Sequence, residues 1–389
     1  MAGGTRSYQL SRRFVKLGMD VTMICSEPNK NIENKLWRDE IIDGVKVSWS
    51  KYNYDKSSSR LTKIYAFLAF SISSSFKLIF SKKPDICIAT STPLTIVLPA
   101  LLLKLFKGTK FIFEVRDVWP ETQLAIGNIN GFIGFFSKIL AWIAYNTASH
   151  IVTLAPGMKE DISKNYGIKL EKISVIPQGC DGDMTSASSK SKEEMGFKEQ
   201  DKLVLYAGAL EKVNGVSYLA KLADKSKEID ENIKFIVIGW GSEKEKLINL
   251  CQKKELLDAN VFFFGPYPKK ELAAWMQISD IQLALFTGPK VIWKDAVQNK
   301  FFDAMTFSKP IANNFDGWQT KVSIENDFGI YLQPNNIGEA AVDLVDAIND
   351  NSWLNSVERK VKPLKVKDFN RDYHAKIYQE LMHRVTYDK

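Results

Sequence analysis

Short apolar runs of strand length alternate with helix-length segments from one end of this chain to the other, and that alternation leaves few folds open. In the first half the runs are Asp20–Ser26, Val45–Ser50, Asp85–Thr90, Lys110–Val115, His150–Leu154 and Lys172–Ile176. In the second they are Leu203–Ala207, Lys234–Ile238, Val261–Phe264, Ile281–Leu285, Pro310–Asn313 and Gly329–Leu332. Strand, crossover helix and strand in repeated succession build a parallel sheet covered by helices. A polar, serine-rich stretch, Asp183–Lys198, has the composition of a loop beside an inter-domain hinge. At 389 residues the chain exceeds one ordinary core, and its 45% apolar content is enough for two. The expected fold class is therefore α/β, with two doubly wound domains, 1–180 and 181–365, facing across a cleft. Residues 366–389 are expected to form a helix returning toward the first domain. Ligands in such sheets sit beyond the carboxyl ends of the strands, so the loops after the strands are where chemistry belongs.

Charge divides the halves unequally. Through residue 180 there are 24 Lys and Arg against 14 Asp and Glu, and beyond it 29 against 31, so the net charge of +8 belongs to the first half. The chain has none of the helix-turn-helix, zinc-finger or aromatic signatures of nucleic-acid readers, and no nucleic-acid partner is expected. A membrane surface fits better. Lys51, Lys56, Arg60, Lys63, Lys77, Lys82 and Lys83 flank the apolar, aromatic segment Ile64–Phe80, and each cation near an anionic leaflet contributes about 1 kcal/mol. That segment is short for a membrane span, and Pro93 and Pro99 break the longer run Ile86–Phe106, so a peripheral protein is expected. The cysteines Cys25, Cys87, Cys180 and Cys251 lie far apart without a metal or redox spacing, which suits a reducing, cytoplasmic setting. The three histidines, His150, His374 and His383, make no ligand set, and no metal or cofactor is expected.

The densest local signal is Asp295-Ala-Val-Gln-Asn-Lys-Phe-Phe-Asp303, followed by Ser308-Lys-Pro. A helix starting near Gln298 offers unpaired N–H groups and a positive dipole end, Lys300 adds a cation, and Asp303 can accept hydrogen bonds from sugar hydroxyls. Together these suit a sugar joined to a nucleoside diphosphate. The stretch resembles the E-x7-E donor motif of the retaining GT-B glycosyltransferases of family four, here written with aspartates. Phe113-Glu-Val-Arg-Asp-Val-Trp-Pro-Glu121 resembles a signature of the branch of that family that builds bacterial surface polysaccharides, including N-acetyl-fucosaminyl and N-acetylhexosaminyl transferases. Ala155-Pro-Gly-Met, Ile176-Pro-Gln-Gly, Tyr206-Ala-Gly-Ala, Val237-Ile-Gly-Trp-Gly and Phe264-Gly-Pro-Tyr fall between the two in the family's order.

The resemblance implies a site. Arg116 contacts a phosphate and Asp117 acts electrostatically near the anomeric centre, unless Arg116 simply pairs with Glu121. Gly208, Lys212, Gly239, Gly265, Tyr267, Asp295, Asn299, Lys300 and Asp303 bind the donor. Gly3, Gly4 and Arg6 form a loop for phosphate or acceptor. The implied activity moves a sugar from a nucleotide-sugar, in the first instance a UDP-sugar, to a lipid-linked saccharide acceptor on the inner face of the cell membrane. A nucleotide-sugar 2-epimerase of the same fold and a catalytically degenerate assembly scaffold are the rivals. In this family the glycine-rich loop follows a central first strand, whereas here Met1-Ala-Gly-Gly-Thr-Arg6 opens the sequence. The first domain is therefore expected to lack that strand, with a gap between the strands at 20–26 and 85–90.

Overall fold

The computed structural model describes residues 5–27, 35–53, 58–91, 93–181 and 190–387. Gly3 and Gly4, and part of the serine-rich stretch, lie outside the described residues. Two compact units result: one runs to Pro177 and resumes at Arg371, the other is Gln178–Asn370. The sequence reading put these divisions at 180 and 365.

In the first unit α1 (Thr5–Lys16) precedes β1 (Thr22–Ser26), β2 (Trp37–Ile42), β3 (Val45–Ser50), α2 (Arg60–Phe80), β4 (Ile86–Thr90), α3 (Val97–Lys107), β5 (Lys110–Val115), α4 (Glu121–Ala125), α5 (Gly131–Thr147), β6 (His150–Thr153), α6 (Pro156–Tyr166) and β7 (Ile173–Val175). The strands form two sheets, ordered β1-β3-β2 and β4-β5-β6-β7. Among the described residues no strand joins β1 to β4, and each is an open edge, as the missing-strand reading expects. β2 is an addition that the sequence reading did not contain. It pairs antiparallel with β3, Trp37 opposite Ser50, across a turn at Asp43-Gly44 where both residues have positive φ. Asp-Gly is a strong two-residue hairpin signal, so the turn was readable, but Trp-Arg-Asp-Glu carries too much charge to register as an apolar run.

The second unit contains β8 (Lys202–Ala207), α7 (Val216–Ile229), β9 (Ile233–Ile238), α8 (Lys244–Lys253), β10 (Val261–Phe264), α9 (Lys269–Ile278), β11 (Ile281–Ala284), α10 (Asn299–Thr306), β12 (Ile311–Asn313), α11 (Trp318–Glu325), β13 (Gly329–Tyr331), α12 (Ile337–Asn349) and α13 (Asn351–Lys367). Its sheet is parallel throughout, in the order β10-β9-β8-β11-β12-β13. Alternate residues of β8 enter opposite cores: Val204 and Tyr206 pack with Leu219 and Leu344, while Leu203 and Leu205 pack with Trp275 and Met276. Burial on both faces explains why the strand is apolar without a break.

The last helix, α14 (Arg371–Tyr387), belongs to the first unit. Ala375, Tyr378, Leu381 and Met382 close a core with Leu10 and Phe14 of α1, Ile112 of β5 and Val152 of β6. Cys25 and Cys87 are partly buried thiols, each pushed up to about 12 by burial, as expected of apolar fillers. On one point the sequence reading is corrected. Its apolar segment began at Ile64, but the helical run Leu61–Phe80 is long and apolar enough to cross a membrane by length and composition.

Candidate functional site

The order of the second sheet reverses direction between β8 and β11, and such a switch point opens a crevice where the following loops diverge. Gly208 leaves β8 there and Gly239 leaves β9. The Gly208 amide donates to Ile238 O at 2.9 Å. A Cβ on Gly239 would lie 1.9 Å from Gly208 O, and one on Gly208 would lie 2.8 Å from Lys300 Cε. Close approach of backbone to backbone therefore requires glycine at 239, whereas at 208 the neighbour is the movable end of the Lys300 side chain, which lies against the turn. Thr287, past β11, ties the β8 loop from the other side, its amide donating to Val213 O and its hydroxyl to Lys212 O, both at 2.8 Å.

Lys300 is the charge at this junction. It sits in the first turn of α10, whose start is fixed by a reciprocal amide pair: Gln298 N donates to Gln319 Oε1 at 2.8 Å, and Gln319 Nε2 donates to Gln298 O at 3.1 Å. The side chain is buried, with Nζ 4.6 Å from the ring centroid of Tyr206, a cation–π contact. Burial brings its pKa down to about 8, against an upward pull from Asp303. Asn299 is exposed at the helix start and Asp303 is half-buried one turn further on. Asp295 is buried, at the end of the 3-10 turn Lys290–Asp295.

Other expected donor residues stand differently. Lys212 has an exposed side chain, and its loop is held by backbone groups. A Cβ on Gly265 would meet nothing within 4 Å, so no close approach demands glycine there. The Tyr267 ring stacks on Trp275 at 6.5 Å, and Phe264 packs on the same indole at 4.4 Å.

In the first unit, Arg116 and Asp117 follow β5 and are half-buried. The Arg116 amide donates to Ser91 Oγ at 3.0 Å, joining the loops after β4 and β5. The alternative Arg116–Glu121 pairing is replaced by another tie: the Tyr166 hydroxyl reaches Glu121 Oε1 at 2.9 Å and Trp119 O at 3.2 Å.

Arg6 is corrected. It was expected to face a phosphate or an acceptor, but it is 1% exposed. Its Nε donates to Glu114 Oε2 at 2.9 Å, and its two Nη atoms donate to Pro177 O at 2.7 Å and Ile176 O at 2.9 Å. Glu114, which the sequence reading passed over, also accepts from Thr90 Oγ1 at 2.9 Å and from the Tyr378 hydroxyl. Burial alone would raise the Glu114 pKa, but the Arg6 cation and these hydrogen bonds hold it below the ordinary carboxylate range. The available signal was a carboxylate inside the apolar strand Phe-Ile-Phe-Glu-Val, a position that demands a cation.

Two doubly wound units, the second with a glycine-lined switch point and a buried lysine, define the architecture of the GT-B enzymes. The family model described as Glycosyltransferase Family 4 matches residues 3–183, and the one described as Glycosyl transferases group 1 matches residues 188–362. The chain belongs to this group of GT-B glycosyltransferases. An uncharacterized glycosyltransferase of Methanocaldococcus jannaschii is 24% identical over 65% of this chain, which spans 62% of that relative's length. Among solved structures, sucrose-phosphate synthase from Thermosynechococcus elongatus superposes with a TM-score of 0.79 at 14% identity, covering 99% of this chain and 94% of that one. WaaG, a glycosyltransferase involved in lipopolysaccharide biosynthesis, gives 0.69 at 13% identity, covering 97% and 95%. Anabaena HepE in complex with UDP-glucose gives 0.65 at 13% identity, covering 81% and 82%. At these identities the likeness is one of fold.

Proposed function

We propose that this chain is a retaining glycosyltransferase that moves a sugar from a UDP-sugar to a lipid-linked saccharide acceptor in bacterial surface polysaccharide synthesis, working at the inner face of the cell membrane. The observation that carries the reading is the convergence of Gly208, Gly239 and Lys300 at the switch point. The N-terminus of α10, which has no side-chain cap, beside a buried ammonium suits a diphosphate. The UDP-glucose held by HepE supports the choice of nucleotide, and the role of WaaG supports the choice of pathway class.

In this reading Asp303 holds the ribose hydroxyls, Lys300 and Arg116 neutralise the phosphates, and Asp117 stabilises positive charge growing at the anomeric carbon. The bond from that carbon to the β-phosphate oxygen breaks as the acceptor oxygen attacks on the same face. The acceptor proton leaves with UDP. No separate base is needed, and the protein's part is to orient and to stabilise charge. The cations belong to the chain, so turnover in the presence of a chelator is expected.

Two measurements test the reading. UDP release should depend on added lipid-linked saccharide, and the product should keep the donor's anomeric configuration by NMR; an inverted product ends the retaining assignment. Asp303→Asn should weaken UDP binding at least about tenfold, since a hydrogen bond to a charged group is worth roughly 1.5 to 3 kcal/mol. Unchanged affinity by calorimetry removes Asp303 from the site.

The epimerase alternative depends on acids and histidines for proton abstraction, and the histidines are poorly disposed for it. His150 is buried against Ser174 Oγ at 2.9 Å with its pKa lowered to about 4, first by burial, and His374 is buried in α14.

A further inference from the structure

Helices α2 and α5 are built inside out. A helix on the surface of a water-soluble unit buries its large apolar residues and exposes its polar ones. α2 instead buries Ser71, Ser73, Ser74 and Ser75, and exposes Leu61, Tyr65, Ile72, Phe76 and Phe80, the last at 83%. Three of these serines are accommodated by the backbone: Ser71 Oγ donates to Phe67 O at 2.8 Å and reaches Thr95 O at 3.0 Å, Ser73 Oγ donates to Phe70 O at 3.0 Å, and Ser75 Oγ to Ser71 O at 2.7 Å. α5 buries Gly134, Ala141, Ala144 and Tyr145, and exposes Phe132, Phe135, Phe136 and Trp142. α3 lies in contact with both helices and exposes Leu105 and Phe106. Apart from Phe70 and Tyr145, which are buried, α2 and α5 turn small residues inward and large apolar residues outward, the pattern of helices whose outer solvent is hydrocarbon.

Charge identifies the leaflet. None of the three helices contains Asp or Glu, while Lys63, Lys77, Lys104, Lys107 and Lys138 lie on them and the exposed Lys82 and Lys83 follow α2. Lys77 is paired with Asp39 at 3.0 Å, and Lys104 and Lys107 donate to the main-chain oxygens of Thr147 and Ser81. Although α2 is long enough to span, β3 before it and β4 after it belong to the same unit, and its serine face packs on α3. It therefore lies along the surface.

We propose that the outer face of α2, α3 and α5 is a monotopic insertion surface, with its aromatic and aliphatic side chains in the hydrocarbon of an anionic leaflet and its lysines at the headgroups. This rests on the membrane reading above and deepens it from contact with headgroups to burial in the acyl layer. Beside α2, a groove of about 850 Å³ lined by Trp37, Tyr52, Leu68, Ile72 and Phe76 continues the apolar face.

The test uses vesicles of phosphatidylglycerol and phosphatidylcholine. The full chain should sediment with them, stay bound in high salt, and show quenching by acyl-brominated lipid that Trp142→Phe reduces. Phe76→Asp with Phe135→Asp should lower partitioning by about a hundredfold or more, since each exposed ring contributes at least roughly 1.5 kcal/mol on burial. Both positions are exposed, so melting temperature and UDP affinity should not change. Full release by salt, or quenching only by headgroup-labelled lipid, overturns insertion. A wild-type dimer that Phe76→Asp dissociates, with no vesicle binding, assigns the face to a second copy and also overturns it. Loss of UDP binding in the parent chain with vesicle insertion intact would strike the transferase reading and leave this one standing.

Discussion

Lys300→Met is expected to remove donor use while leaving the fold at least as stable. Two charge-assisted hydrogen bonds from the ammonium to a diphosphate are worth about 3 kcal/mol, so donor affinity should fall somewhat more than a hundredfold. If the charge also steadies the departing phosphate, kcat/KM should fall by about a thousandfold or more. Stability should move the other way. Burial lowers the folded pKa of Lys300 from 10.5 to about 8, so holding its charge at neutral pH costs the empty protein on the order of 3 kcal/mol. Methionine fills similar space without that cost, offset by the lost contact with Tyr206.

The pH dependence follows from the same shift. Between about pH 8 and 10.5 the unfolded chain keeps a proton that the folded chain has released, so this group makes stability rise with pH across that window. Donor affinity should fall over the same range, because the neutral amine does not neutralise phosphate. Binding should therefore draw in a proton above pH 8, measured by calorimetry in buffers of different ionisation enthalpy. Methionine should remove both slopes. An unchanged proton uptake in the variant would show that another group carries the charge.

Glu114→Ala is expected to cost the first unit about 3 to 5 kcal/mol, because it strands the Arg6 guanidinium in a site that is 1% exposed. The loss should fall on α1 and α14, which meet at this carboxylate through Arg6 and Tyr378. Hydrogen exchange of peptides from those helices is the measurement, since two units preclude a single unfolding free energy. Replacing Arg6 and Glu114 together by apolar residues should restore much of the protection. If Glu114→Ala leaves exchange in α1 and α14 unaltered, the pair does not hold the unit together. With its folded pKa lowered, Glu114 contributes stability above its unfolded value near 4.5 and loses it as pH falls through the lowered folded pKa.

Strands buried on both faces were legible because their runs are apolar and end at glycine turns, as at Val237-Ile-Gly239. Charged β2 was not, although Asp43-Gly44 announces a hairpin. Lys300 and Gly208 were singled out as candidates through separate motifs, whereas their proximity is a matter of tertiary packing that no spacing expresses. Arg6 was misread for a related reason: an arginine beside a glycine pair looks the same in sequence whether it awaits a ligand or a carboxylate more than a hundred residues away. The inverted burial of α2 was likewise hidden. Its composition suggested a membrane, but only the packing reveals that the serines are the inward face.

The return of α14 to the first unit governs the order in which the protein can be made. The core that α1, β5 and β6 share with Ala375, Tyr378, Leu381 and Met382 cannot close until residues 371–387 have been synthesised, after the whole of the other unit. The second unit, contiguous in sequence, can fold as it emerges. The first translated half is thus the last to mature, and it waits on the ribosome with an unfilled apolar surface.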